Sequence, residues 1–209
     1  MNSLKLTLKS LSAALVLTSA ASHAATVVNF SFEADPIVDG NFFGSALNWT
    51  VSGGAAGAQD FVASQNPLAT DGEQHGYANG GAMLSQLTSE TIIGGQIYTL
   101  TVDVGQVDVF AGSIGTLRLY GSTLGAGTAI AELTGIAPAS GTYLLNQTFS
   151  YTAPAGGGSF AGQTIGIALM GQSGQQVLFD NVRFNAIPEP STAFLGGLGA
   201  LALLRRRRI

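Results

Sequence analysis

The chain has 209 residues, 29 glycines, no cysteine and a formal net charge of -4. Without cysteine it carries no disulfide scaffold, thiolate nucleophile, iron–sulfur cluster or cysteine-ligated zinc, and the negative balance argues against nucleic acid, whose phosphates need Lys and Arg. Six of the eight basic residues sit at the tips, as Lys5, Lys9 and Arg205 to Arg208, so residues 25–187 set only Arg118 and Arg183 against eleven acids, a formal charge of -9.

Taken in chain order, Lys5 and Lys9 precede an apolar run from Leu11 to Leu17, and small residues ending in Ser22-His23-Ala24 follow. A charged region, a short apolar region and a small-residue cut site make a signal peptide. Residues 1–24 are expected to be removed, with cleavage after Ala24.

Residues 25–187 contain 26 glycines and almost no apolar spacing at 3.6 residues. Period-two alternation dominates, which is the signature of half-buried strands. In 97–104, Tyr98, Leu100, Val102 and Val104 share one face, with Thr99, Thr101 and Asp103 on the other. Leu117 and Leu119 alternate with Arg118, Ile165, Ile167 and Leu169 alternate with small residues, and Gln147, Phe149 and Tyr151 share a face. Further strands are expected at 26–33, 47–52, 58–63, 75–79, 82–88, 128–133 and 176–184. Gly94-Gly95 is expected to close a hairpin between 82–93 and 96–104, and Gly53 to Ala58 to form a loop. About ten short strands of this kind predict one all-β domain, an antiparallel β-sandwich over 25–187.

The tail begins with Ile187-Pro188-Glu189-Pro190-Ser191. An uncharged, mostly apolar segment from Thr192 to Leu204 follows, stopped by Arg205, Arg206, Arg207 and Arg208. As a short hydrophobic helix it would span only about 20 Å, less than the roughly 30 Å of a bilayer core. It suits transient inner-membrane insertion, with the arginines kept inside. Pro-Glu-Pro, a Gly/Ala/Leu-rich span and a terminal arginine cluster, in that order over 188–209, resemble the PEP-CTERM sorting signal. The resemblance implies recognition of Pro188, Glu189 and Pro190 by an exosortase. It also implies export to the cell surface or extracellular matrix of a Gram-negative bacterium that makes exopolysaccharide.

The body offers little catalytic signature. His75 is its only histidine, and no HExxH, G-x-S-x-G or phosphate-binding glycine loop is present. Asn29-Phe30-Ser31-Phe32-Glu33, Asn48-Trp49-Thr50-Val51, the strand 96–105 and Val177 to Phe184 together resemble the galactose-binding-like jelly rolls found in carbohydrate-binding modules. That resemblance implies a structural calcium between the first and last strands, with Glu33 and Asp180 in matching positions. A carboxylate interrupting an apolar strand needs a partner or a metal; backbone N–H groups or Arg183 would also serve Asp180. Sugar stacking would fall to Tyr120, Tyr77 and Trp49, with Tyr120 expected to be exposed because it faces away from Leu117 and Leu119. The reading is a non-catalytic exported protein associated with extracellular polysaccharide. The alternatives are a glycan-binding module with a defined sugar site, or a polysaccharide-cleaving hydrolase if two carboxylates face each other in a cleft.

Overall fold

The alternation at 97–104 builds the central strand of the molecule. The computed structural model describes residues 23–188, apart from 63, 111, 174 and 175. Twelve strands are present among them: β1 (His23–Ala25), β2 (Phe42–Phe43), β3 (Thr50–Ser52), β4 (Ala56–Asp60), β5 (Gln74–Asn79), β6 (Met83–Thr91), β7 (Gln96–Gln106), β8 (Ile114–Gly121), β9 (Ala131–Ile136), β10 (Thr142–Thr152), β11 (Thr164–Ser173) and β12 (Gln176–Pro188). They form two antiparallel sheets. One runs β10-β7-β12-β5-β4-β2, with β1 pairing β12 beyond the reach of β5; the other runs β3-β6-β11-β8-β9. This is the β-sandwich that the alternation predicts.

The core lies between the sheets. Leu100, Val102 and Val104 of β7 and Phe179 and Phe184 of β12 meet Leu84 of β6, Leu117 and Leu119 of β8, and Ile165, Ile167 and Leu169 of β11. Each is essentially excluded from water, and full burial of such a side chain stabilises the fold by about 1.5–3 kcal/mol.

Three expectations need correction. Residues 26–33 are not a strand, because Asn29 and Phe32 take the left-handed region, at φ 53 and 63. The Asn29 side chain accepts from Ala34 N–H and donates to Asp35 and the Leu47 carbonyl. That folds the segment into turns and drives Phe32 inward to stack on Trp49 at 5.3 Å. Gly94-Gly95 does not close a hairpin. β6 and β7 belong to different sheets, so the turn, with Gly95 at φ 74, carries the chain across the sandwich. The supposed loop 53–58 becomes β4 from Ala56, whose alanines fit under the core where larger side chains would not. Cleavage after Ala24 would fall inside β1, whose three rungs pair with Phe184 to Ala186.

Candidate active site

Alternation puts a second set of side chains on the outer face of the seven-stranded sheet. Tyr77 of β5, Leu178 of β12 and Val107 form a small separate cluster, against which Phe61, Phe110 and Tyr143 pack. By the same parity, His75 lies beside Tyr77, and Asp180 lies beyond Leu178. The segments after β4 and after β7 cover this face, so His75 and Asp180 are both 0% exposed.

The centre is a pair of carboxylates. Asp180 and Asp103 stand directly opposite each other on β12 and β7. Like charges in that position repel, and the loop before β5 arranges donors around them. Asp180 Oδ2 accepts from Thr70 N–H at 2.6 Å and Asp71 N–H at 2.8 Å, and its Oδ1 accepts from Asn181 N–H at 2.7 Å. Asp103 accepts from Asn146 N–H and from the Asn181 side chain. The Thr70 hydroxyl lies 2.8 Å from Asp103 Oδ2 and 3.0 Å from Asp180 Oδ2. One hydroxyl has one proton to share between two carboxylates, so the arrangement is fully bonded when a carboxyl itself holds a proton. Burial pushes the Asp180 carboxyl from 3.8 up to about 6, against the opposing pull of its hydrogen bonds from Asp71, Asn181 and Thr70.

Neutral donors complete the site. The Gln59 amide nitrogen is 2.9 Å from His75 Nε2 and 3.3 Å from Gln176 Oε1. An amide nitrogen only donates, so His75 Nε2 accepts and its proton rests on Nδ1. Burial holds the ring neutral by lowering its pKa from 6.5 to about 3. Phe61 and Tyr143 each stand edge-on to His75, at 4.7 Å and 6.4 Å. Burial, together with Asp180 and Asp103, raises the Tyr143 phenol well above its usual range, which keeps it protonated. Beyond Phe61, a cavity of about 240 Å³ opens beside Asp60, Leu68 and Glu73.

The sequence-predicted residues distribute unevenly over this picture. Asp180 is at the centre, bound by the backbone N–H groups that were one of its expected partners. Glu33 is exposed, and its Oε1 accepts from Glu73 and Gln74 N–H. Both carboxylates thus secure the 70–74 loop. Among the described residues no group of three or more His, Cys, Asp or Glu could hold a metal. The stacking role for Tyr120, Tyr77 and Trp49 needs correction, since they are 5%, 4% and 7% exposed. Tyr120 does point outward, but its ring lies flat over Gly166, so close that a Cβ there would come within 2.2 Å of it. Trp49 is in the core, with its indole N–H bonded to the Asn29 carbonyl. Asp103 and Asp180 do face each other, but under a cover and not in an open cleft, as the hydrolase alternative would have them. Both reach the one Thr70 hydroxyl. Pro188 closes β12 opposite Gln96. Glu189, Pro190, the apolar segment and Arg205 to Arg208 lie outside the described residues, and among the described residues no helix is long and apolar enough to cross a membrane.

Sequence reasoning passed over Asp103, Thr70, Tyr143 and His75 as parts of one site. The available signal was parity: Asp103 alternates with core residues on β7, as Asp180 does on β12.

The fold is thus an all-β sandwich of two antiparallel sheets, with a covered cluster of carboxylates and aromatic rings on one outer sheet face. The chain is a member of the HpiC1-like family, described as HpiC1 cyclase, whose model matches residues 23–185. A cyclase from Fischerella sp. TAU has the same fold, with TM-score 0.67 and 18% identity over 82% of this chain and 100% of that one. So does a cyclase from Fischerella sp. TAU in complex with 4-(1H-Indol-3-yl)butan-2-one, at TM-score 0.66 and 18% identity over 81% of this chain and 100% of that one. The β-sandwich neighbours also include carbohydrate-binding modules, such as the xylan-binding domain of Paenibacillus barcinonensis Xyn10C, at TM-score 0.49 and 15% identity over 82% of this chain and 99% of that one. No match is found among curated proteins. The expectation of a non-catalytic domain is overturned by the family, whose model is described as HpiC1 cyclase. Residues 186–208 match the PEP-CTERM protein-sorting motif, which marks an exported protein sorted to the cell envelope.

Proposed function

We propose that this protein is an exported enzyme of the cyclase type, in which Asp180 moves a proton on a small, largely apolar substrate. The observation that carries the proposal is the buried Asp180–Asp103 pair, bridged by the Thr70 hydroxyl, in which Asp180 keeps a proton up to about pH 6. An acid of that strength, near the working pH, is suited to general acid–base catalysis. Asp180 would protonate an unsaturated carbon. Ring closure onto the resulting cation forms a carbon–carbon bond, and the carboxylate takes a proton back from the adjoining carbon. The product is an isomer of the substrate, and Asp180 ends as it began. The rings of Phe61, Tyr77, Phe110 and Tyr143 pack on the same sheet face, and aromatic faces attract cations. The neutral His75 does not compete for the proton.

An indolyl ketone bound to a Fischerella cyclase makes indoles that carry both a ketone and an alkene the first substrates to try. Incubated with the exported protein, a substrate of this class should yield a cyclised isomer of unchanged mass, at a rate reduced about a hundredfold or more by Asp180→Asn. Formation of that isomer by the variant at the unaltered rate contradicts the proposal.

The tail fits processing by an exosortase after transient membrane insertion, with Pro188, Glu189 and Pro190 recognised and Arg205 to Arg208 left inside. The destination on this reading is the cell surface or a polysaccharide matrix. Glu189→Ala should leave full-length protein in the membrane fraction; unchanged size and release would count against this route.

A further inference from the structure

Two polar atoms on the covered sheet face have no hydrogen-bond partner: His75 Nδ1 and the Tyr143 hydroxyl, both buried. Each is a donor. The Gln59 amide takes up Nε2 of His75 and so assigns the ring proton to Nδ1, and the phenol carries its own. Their rings lie 6.4 Å apart on neighbouring parts of one face. A buried donor without an acceptor lowers stability by about 1–3 kcal/mol, so two of them side by side need a reason.

We infer that His75 Nδ1–H and Tyr143 O–H form a two-donor receptor for a neutral carbonyl oxygen, and that the substrate is a small apolar ketone or enone. This rests on the reading of the covered face as the substrate site. A carbonyl oxygen offers two lone pairs and brings no proton of its own to place. An anion is disfavoured, because Asp103 and Asp180 lie close enough to raise the phenol's pKa and would repel a second negative charge. Phe61 is the partition: one side of it meets His75 edge-on, and it also lines the cavity of about 240 Å³. A turn of this one side chain would open that cavity toward His75, whose ring also meets that of Tyr143. Gly105, directly across from Tyr143, has no room for a Cβ, which would lie 2.7 Å from the ring. The phenol is therefore seated by the sheet itself.

The test compares benzylacetone with n-butylbenzene, which has a similar shape but no carbonyl, by calorimetric or fluorescence titration of the exported protein. The ketone should bind about tenfold or more tightly than the hydrocarbon. Tyr143→Phe should abolish most of that preference without lowering the melting temperature, since the hydroxyl it removes has no partner in the protein. His75→Asn, which keeps a donor near the Nδ1 position, should retain more of the preference than His75→Leu. The preference is read without turnover, so failure of the acid mechanism is distinguishable from failure of the receptor. Equal binding of the two probes, no binding of either, or an undiminished preference in Tyr143→Phe overturns the inference.

Discussion

The two outer sheet faces are built on the same device and used differently. On the five-stranded sheet, Tyr120 lies across from Gly166 and covers it; on the seven-stranded sheet, Tyr143 does the same over Gly105. Burial raises both phenols. Tyr120 bonds Ser85, however, and nearby Arg118 is paired with Glu132 at 2.9 Å while also holding the carbonyls of Ala126 and Gly127. On that face the polar groups satisfy one another. On the other face two donors have no partner, and two carboxylates share one hydroxyl. A sheet face that serves only stability saturates its polar groups. Groups left unmatched under a cover are a sign of chemistry.

The largest way to break this contrast is Asp180→Ala. It leaves the N–H groups of Thr70, Asp71 and Asn181 facing a void, and should destabilise the protein by about 3–5 kcal/mol in denaturant unfolding. A loss below about 1 kcal/mol would mean that the loop is held elsewhere.

A pH series sharpens the contrast next. Asp180 has a folded pKa raised from 3.8 to about 6, so the native state alone holds its proton in that window and stability falls as pH rises through it. His75 is lowered from 6.5 to about 3, so the unfolded state alone binds that proton and stability falls as pH drops below 6.5. Between about pH 4 and 6 the two slopes cancel. Asp180→Asn removes one of them, and should lose about 1.4 kcal/mol per pH unit on acidification across this window. A profile as flat as that of the unmodified protein contradicts the assignment.

The glycines give a smaller effect. Gly166→Ala and Gly105→Ala must each displace a tyrosine, with an expected loss of about 1–3 kcal/mol. Only Gly105→Ala should impair ligand binding as well. The smallest effect separates the phenols. Tyr120→Phe loses its bond to Ser85 and about 1 kcal/mol, whereas Tyr143→Phe should be neutral or slightly stabilising. Equal losses in thermal melts would remove the distinction between the faces.

Much of the fold was legible because alternation reports burial directly: the core faces of β7, β8 and β11 are those read from 97–104, 117–119 and 165–169. Which sheet each strand joins was not legible. A Gly-Gly turn can close a hairpin or cross the sandwich, and at Gly94-Gly95 long-range packing chooses the crossing. Asp180 stood out as a charge in an apolar strand, but its meaning depended on Asp103, 77 residues away in sequence and directly across in register. Outward parity also misled at Tyr120, since facing away from the core does not imply facing water when the cross-strand neighbour is glycine. The tail was legible as a motif because its order and terminal position are chemical signals in themselves.

The central claim is that Asp180, held beside Asp103 under a cover, keeps its proton up to about pH 6. Its carboxyl carbon can be followed by 13C NMR across pH 3–8, with Asp180→Asn identifying the resonance. The account predicts a midpoint at about 6. A midpoint at or below the ordinary 3.8 would contradict it.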